Sequence, residues 1–419
     1  MKAKANLILL IIISLFLAAL ISRNGSLALM ALPFLVYLGA GLLSAPGEIR
    51  LRVTRQLNSV RAKEGTPITM SLSIENDGSS IPRLQVLEQG LPKMQLIESS
   101  HEQRVAVPAK NSFELGYSFQ APRGRYSWET CRVVASDPFG LFAESFDLPA
   151  TGHTLVLPEQ PALRRFRFHP HTTLRTHGPN LSRLPGRGID FWGVREYQTG
   201  DSLRLIHWRL AARHPSLFFS KEFEREEMAD VGLLLDARAA VNLTHENESL
   251  FEYSIQAAAA LASNFIRAGN RVSLLTLGDR MVRVFPGYGK RQLVRILDQL
   301  AACEPAQKVS LNTLKYFPVR LFPSHSMIVV ISPLRLDDFK TVAWLRAEGY
   351  QVLLVSPNPV QLLAQNQPAN AVRSLAVRAA NVERAVLLWR IRQIGVPVVD
   401  WPVNQSLEKT MGSLRMASR

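Results

Sequence analysis

The chain has 419 residues, a length that calls for two or three domains. Hydrophobic residues make up 47% of it, which excludes a disordered polar chain, and the two cysteines, Cys131 and Cys303, exclude a disulfide framework and fit a reducing compartment. Lys and Arg outnumber Asp and Glu to a formal charge of +15, which leaves two partners in play: nucleic acid and an anionic membrane surface.

Residues 1–47 read as two transmembrane helices. Leu7 to Ile21 and Leu27 to Leu43 are nearly unbroken apolar runs, close to the short end of the roughly 17 to 25 residues a bilayer span needs. Only Ser22 to Ser26 separates them, which suits a tight hairpin. Lys2 and Lys4 precede the first run and Arg50, Arg52 and Arg55 follow the second, while Arg23 alone lies between. The positive-inside rule then predicts a multi-pass protein of a bacterial inner membrane with both ends and the C-terminal body in the cytoplasm. A cleaved signal peptide, with its small-residue site near Ser26-Leu-Ala28, is the alternative. The membrane reading assigns the positive charge to membrane lipid and makes nucleic acid the less expected partner.

Residues 48–160 predict an antiparallel β-sandwich. Leu51 to Val53, Ile68 to Ile74, Leu84 to Leu87, Gln103 to Val107, Ser112 to Phe119 and Tyr126 to Val134 are short runs separated by turn residues such as Asn76-Asp-Gly-Ser79 and Pro122-Arg-Gly124. Leu72 and Ile74 set against Ser71, Ser73 and Glu75 give the clearest two-residue period. Asp137-Pro-Phe-Gly-Leu-Phe142 predicts a turn whose Phe139, Leu141 and Phe142 cap the sandwich.

Residues 161–227 predict an Arg-rich connector, with Arg164, Arg165, Arg167, Arg175, Arg183 and Arg187 leading into a denser segment. His169, His171 and His177 share no metal-ligand spacing with a carboxylate or Cys. The segment from Gly188 to Arg213 packs Phe191, Trp192, Tyr197 and Trp208 among Arg195, Arg204, Arg209 and Arg213, with a Gly200-Asp201 turn. It predicts a loop, a turn and a short helix capped by Asp201 or Ser202, with Leu203, Ile206 and Leu210 at helical spacing. Phe191, Tyr197 and Trp208 are expected as buried anchors. At least one of Arg195, Arg204 and Arg213 is expected to pair with Asp201 or Glu196 and at least one to stay accessible for docking, since a guanidinium grips planar oxyanions with two bonds.

That segment resembles the family catalogued as domain of unknown function 58. Gly188, Asp190, Phe191, Arg195, Tyr197, Gly200, Asp201, Arg204, Ile206, Trp208, Ala212 and Arg213 fall on the family's pattern, and Arg123-Gly-Arg-Tyr126 and Asp137 to Phe142 look like it too. His207 stands where the family often has Asp or Asn. The resemblance implies partnership with a MoxR-type AAA+ ATPase and with transglutaminase-like membrane proteins.

Residues 228–419 predict an α/β domain. Asp230 to Asp236 reads as a buried strand and Leu250 to Ala268 as an amphipathic helix. Strands at Arg271 to Leu277, Ser326 to Ser332, Gln351 to Val355 and Pro397 to Asp400 alternate with helices at Lys290 to Cys303, Asp337 to Glu348 and Asn381 to Ile394. Such alternation predicts a mostly parallel sheet covered on both faces. The combination resembles the Rossmann-like von Willebrand factor type A fold. That resemblance implies a cation site of the form Asp-x-Ser-x-Ser where the first strand ends. Here the positions read Asp236-Ala237-Arg238-Ala239-Ala240. Both hydroxyls are absent and Arg238 is placed to pair with Asp236, so the site is expected to be degenerate and metal-free. Ser332 and Asp337 or Asp338 are candidate remnants of other ligand loops.

Catalytic patterns are weak. Gly287-Tyr-Gly-Lys290 lacks the spacing of a phosphate loop, no nucleophile elbow occurs, and Asp201, Ser202 and His207 make a poor triad because Ser202 sits at a helix cap. The expectation is a non-enzymatic, cofactor-free, membrane-anchored adaptor that docks protein partners. The alternative is an enzyme or nucleic-acid-binding protein that uses the Arg-rich segment 188–213.

Overall fold

The computed structural model describes residues 3–88, 94–98, 102–163, 180–214, 216–227, 229–245, 248–278, 281–306, 321–324, 326–364 and 371–417. The chain forms two compact units, Met1–Leu157 and Pro158–Arg419. His169, His171, His177, Arg164, Arg165, Arg167 and Arg175 lie outside the described residues.

The first unit opens with three helices, α1 (Ala3–Ser22), α2 (Gly25–Met30) and α3 (Leu32–Leu43). The two stretches Lys4–Ser22 and Gly25–Leu43 are each 19 residues long and apolar enough to cross a membrane by length and composition. Their side chains are largely exposed, with Leu20 at 77% and Leu43 at 90%. Among the described residues nine strands follow: β1 (Leu51–Leu57), β2 (Arg61–Lys63), β3 (Ile68–Asn76), β4 (Ile81–Leu87), β5 (Gln95–Glu98), β6 (Glu102–Val107), β7 (Asn111–Gln120), β8 (Gly124–Ser136) and β9 (Ala143–Leu157). They build two sheets, β1-β3-β7-β5 and β2-β9-β8-β4-β6. Alternation decides the faces: Ile68, Met70, Leu72 and Ile74 are buried, while Thr69 and Glu75 on the other face are exposed. Residues of both sheets, such as Leu72, Leu115 and Phe119 on one and Leu84, Trp128 and Val133 on the other, share one core. The sheets are not wholly antiparallel, because β2 pairs β9 in parallel.

Polar side chains also order this unit. Arg55 donates to Glu88 at 2.6 Å and to the Ala150 carbonyl, both side chains of the pair being fully buried. Burial first, then the nearby Glu88 charge, pushes the Cys131 thiol up to about 12. Asp137 accepts from the amides of Phe139 and Phe142 and so ties the turn that Gly140 completes at φ +70°. Leu141 in that turn is buried, close to Gly41 of α3. Phe139 is instead 42% exposed and packs against Tyr37 of α3, with ring centroids 5.0 Å apart.

The second unit begins with β10 (Asn180–Glu196), α4 (Trp208–Ala211) and β11 (Phe219–Glu227). The sequence expectation of a loop over 188–196 is corrected, since β10 and β11 pair antiparallel across three register shifts. There follow β12 (Asp230–Asp236), the short β13 (Thr244–His245) and β14 (Glu248–Ser249), α5 (Leu250–Arg267), β15 (Arg271–Leu277), β16 (Val282–Gly287) and α6 (Gly289–Ala301). The chain ends through β17 (Met327–Ile331), α7 (Phe339–Ala347), β18 (Gln351–Pro357), α8 (Pro359–Ala364), α9 (Ala371–Gln393), β19 (Val398–Trp401) and α10 (Leu407–Ala417).

Six of these strands form one sheet in the order β16-β15-β12-β17-β18-β19, parallel except at the β16 edge. Every residue of β12 is buried, as expected of a central parallel strand covered on both faces. Leu234, Ile328, Val330 and Leu354 pack with Leu345 of α7 and Leu387, Leu388 and Ile391 of α9. The alternate strand residues face α5, whose Ala257 to Ala262 stretch is fully buried and lets helix and sheet approach closely. Gly232 belongs to the α7 and α9 face of β12, where the Phe322 ring lies so close that a Cβ at this position would overlap its Cε1. The expected helix at Asn381 to Ile394 starts ten residues earlier, at Ala371.

Candidate functional site

Two arginine–carboxylate clamps stand out in the second unit. The first orders the Gly188–Arg213 segment. Arg195, near the end of β10, donates through Nη2 to Asp201 Oδ1 at 2.7 Å and through Nε to Glu222 Oε1 of β11 at 2.9 Å. Asp201 also accepts the Gln198 amide at 3.0 Å, and Gly200 turns the chain at φ +109° between them. Tyr197 closes the same loop, its hydroxyl donating to the Asp201 carbonyl at 3.1 Å and its amide to Phe218. The Arg195 hydrogen bond, helped by the Gln198 amide, lowers the Asp201 pKa, and the Asp201 hydrogen bond in turn raises that of Arg195.

The expected Arg195–Asp201 pairing is therefore present; Glu222 is a partner that the sequence reading missed, because it lies on a strand whose pairing with β10 was not foreseen. Neither expected cap is a side-chain cap. Asp201 serves the preceding turn, and Ser202 opens a short 3₁₀ turn over Leu203–Leu205 without capping it. The cap of α4 is His207, whose Nδ1 accepts from the Leu210 amide at 3.1 Å. Asp201 and His207 are thus engaged apart from each other, as a triad would forbid.

The aromatic expectation is overturned for Phe191 and Trp208, while Tyr197 is half-buried. Phe191 is 56% exposed and Trp208 63%, and Leu203 and Phe218 join them at the surface. Of the three expected apolar positions only Ile206 is buried, through its bridge to Ser220. Arg204, Arg209 and Arg213 are exposed. Gly188 lies within β10. The segment from Phe191 to Phe218 thus carries exposed aromatics and arginines, side-chain types that often anchor protein interfaces.

The second clamp is closed. It sits at the carboxyl end of β12, beside β17, where the sheet's connections leave in opposite directions and open α/β sheets place ligands. Arg238 grips Asp236 with Nε at 2.9 Å and Nη2 at 2.7 Å, and Asp338 with Nη1 at 3.1 Å and Nη2 at 2.7 Å. Ser332 donates to Asp236 at 2.6 Å and accepts the Leu334 amide. Leu334 adopts φ +65°, a left-handed turn that brings Asp338 back over the strand end. All three charged side chains are at most 9% exposed. Burial is the largest single influence on the Arg238 guanidinium and lowers its pKa, but the hydrogen bonds and charges of both carboxylates together outweigh it and hold the pKa above its ordinary value. The expected Asp236–Arg238 pair is observed, and Ser332 and Asp338 join it, while Asp337 does not enter this network. Among the described residues no group of three His, Cys, Asp or Glu is arranged to hold a metal.

A family model described as "Protein of unknown function DUF58" matches residues 193–362, a span that holds both clamps. The uncharacterized protein YeaD of Bacillus subtilis (strain 168) is 24% identical over 293 residues, covering 67% of this chain and 69% of that protein. An uncharacterized protein of Mycobacterium tuberculosis (strain H37Rv) is 25% identical over 257 residues, covering 54% of this chain and 78% of that one. Among solved structures, proximal thread matrix protein 1 from the mussel byssus, with a zinc-occupied MIDAS motif, aligns with a TM-score of 0.22 at 14% identity, over 31% of this chain and 36% of that one. At that score it bears on neither fold nor function.

Proposed function

We propose that this chain is a membrane-anchored adaptor of the DUF58 family that docks a protein partner through the surface carrying Phe191, Leu203, Trp208 and Phe218. Its body lies in the cytoplasm, its N-terminal helices cross the bilayer, and its partner is an AAA+ ATPase of the MoxR type, with a transglutaminase-like membrane protein as a second candidate. The observation that carries this reading is the exposure of large aromatics on a loop that Arg195 holds in one conformation. Ordering that surface beforehand lowers the entropic cost of binding. The parallel-sheet domain is a von Willebrand factor A-like scaffold in which a guanidinium occupies the cation position. Its strand order, antiparallel edge strand and carboxylate at the end of β12 support that assignment.

Co-purification tests the docking reading. The wild-type chain should retain the ATPase in stoichiometric amount, and Trp208→Ala should lose it at unchanged melting temperature. Retention by both, or binding of DNA with a steep salt dependence in place of the ATPase, would overturn it. A reporter fused after Arg419 should be active in the cytoplasm; activity on the far side of the membrane would reverse the topology.

A further inference from the structure

α9 carries a second surface, separate from the docking loop and independent of that reading. Arg384, Leu387, Leu388 and Ile391 are buried in its second half. On the opposite side Val372, Leu375, Val382, Val386 and Trp389 are 75%, 66%, 62%, 42% and 58% exposed, and Ala379 is exposed between them. The six are spaced by three, four, three, four and three residues. At about 100° per residue they form one stripe facing away from the sheet. A stripe this narrow is the seam of paired helices, whereas a helix lying on lipid presents a broader apolar face.

We propose that this seam is a dimerisation surface for a second copy of the chain, with the two α9 helices side by side and parallel. The flanking charges select both the partner and the direction. In a parallel pair the position flanking one side of the seam meets the position five residues later on the other helix. Arg378 and Glu383 stand five apart on those two flanks, and both are exposed. A two-fold axis forms the Arg378–Glu383 pair twice. An antiparallel pair would set Arg378 against Ala385 and Glu383 against Ala376, with no ion pair. Ala379 at the centre lets the helices approach, and Trp389 supplies the largest buried contact. The fold already holds α9 helical, so pairing carries no cost of helix nucleation.

The test uses the full-length chain in nanodiscs with Cys303→Ser, since the remaining Cys131 is fully buried. Ala379→Cys should give a disulfide-linked dimer on mild oxidation, and Asn381→Cys, one turn face away, should not. Arg378→Glu or Glu383→Arg should each weaken self-association roughly tenfold by sedimentation, and the double reversal should restore it, with melting temperature unchanged throughout. A chain that stays monomeric at every concentration overturns the proposal. So does equal cross-linking at 379 and 381, a double reversal that fails to restore pairing, or a cross-link found only between Ala379→Cys and Val382→Cys, which marks antiparallel helices. Monomeric protein whose vesicle binding depends on Trp389 overturns it in favour of lipid.

Discussion

The two clamps of the second unit use the same chemistry, one arginine between two carboxylates, in opposite surroundings. Arg195 is 38% exposed and its acids are 18% and 22% exposed, whereas Arg238 is 9% exposed and its acids 2% and 5%. Water competes for every hydrogen bond of the first and is excluded from the second. A clamp in water fixes a loop at little net energy. A clamp away from water is costly to assemble and more costly to break, because each group left behind is an uncompensated charge. The open clamp therefore suits a surface that must be ordered yet accessible, and the closed one suits a scaffold that must stay in one state.

This contrast can be broken by mutation. The largest effect is expected for Arg238→Met, which strands Asp236 and Asp338 in the interior and should cost about 3–5 kcal/mol in denaturant unfolding of the wild-type and variant chains. Stability within 1 kcal/mol of wild type would show that the acids are not buried as charges. Asp338→Ala leaves Arg238 one acid and should cost about 1.5–3 kcal/mol by the same measurement. Calorimetry of the wild-type chain should detect no sub-millimolar Mg²⁺ binding, and binding that is lost in Asp236→Ala would mean the guanidinium yields its place.

The open clamp should respond to pH rather than to denaturant. Because Arg195 lowers the folded-state pKa of Asp201, its contribution is present above the unfolded carboxylate pKa of about 3.9 and is lost as pH falls through the lower folded value. The melting-temperature difference between wild type and Asp201→Asn should thus be small, constant from neutral pH down to about 5, and absent in stronger acid. A difference that grows on acidification would reverse the sign. The smallest effect is expected for Trp208→Ala, whose melting temperature should match wild type while partner binding falls.

Much of the closed clamp was legible in the sequence. A buried apolar run ending in Asp236, with Arg238 two residues on, already places cation beside anion. The Asp338 contact depends on Leu334 adopting a left-handed turn, which no propensity favours for leucine. The open clamp was half legible. Arg195 and Asp201 are local, but Glu222 is reached only through β10, whose Gly186, Gly188 and Pro185 mask a strand that register shifts accommodate. Aromatic content pointed to burial at Phe191 and Trp208, since large rings usually complete a core. Here both rings stay at the surface, while Ile206 is buried. The first half of α9 escaped for a related reason: its apolar residues face outward, so the periodicity that marks a core-facing helix begins only near Arg384.

The contact between Gly232 and Phe322 carries a different kind of consequence. A ring resting directly on the backbone of the central strand leaves no volume for any side chain at position 232, so the two positions hold one shared allotment of space. They cannot vary independently through evolution. A relative with alanine or serine at 232 must carry a smaller residue at 322, and one that keeps an aromatic at 322 must keep glycine at 232.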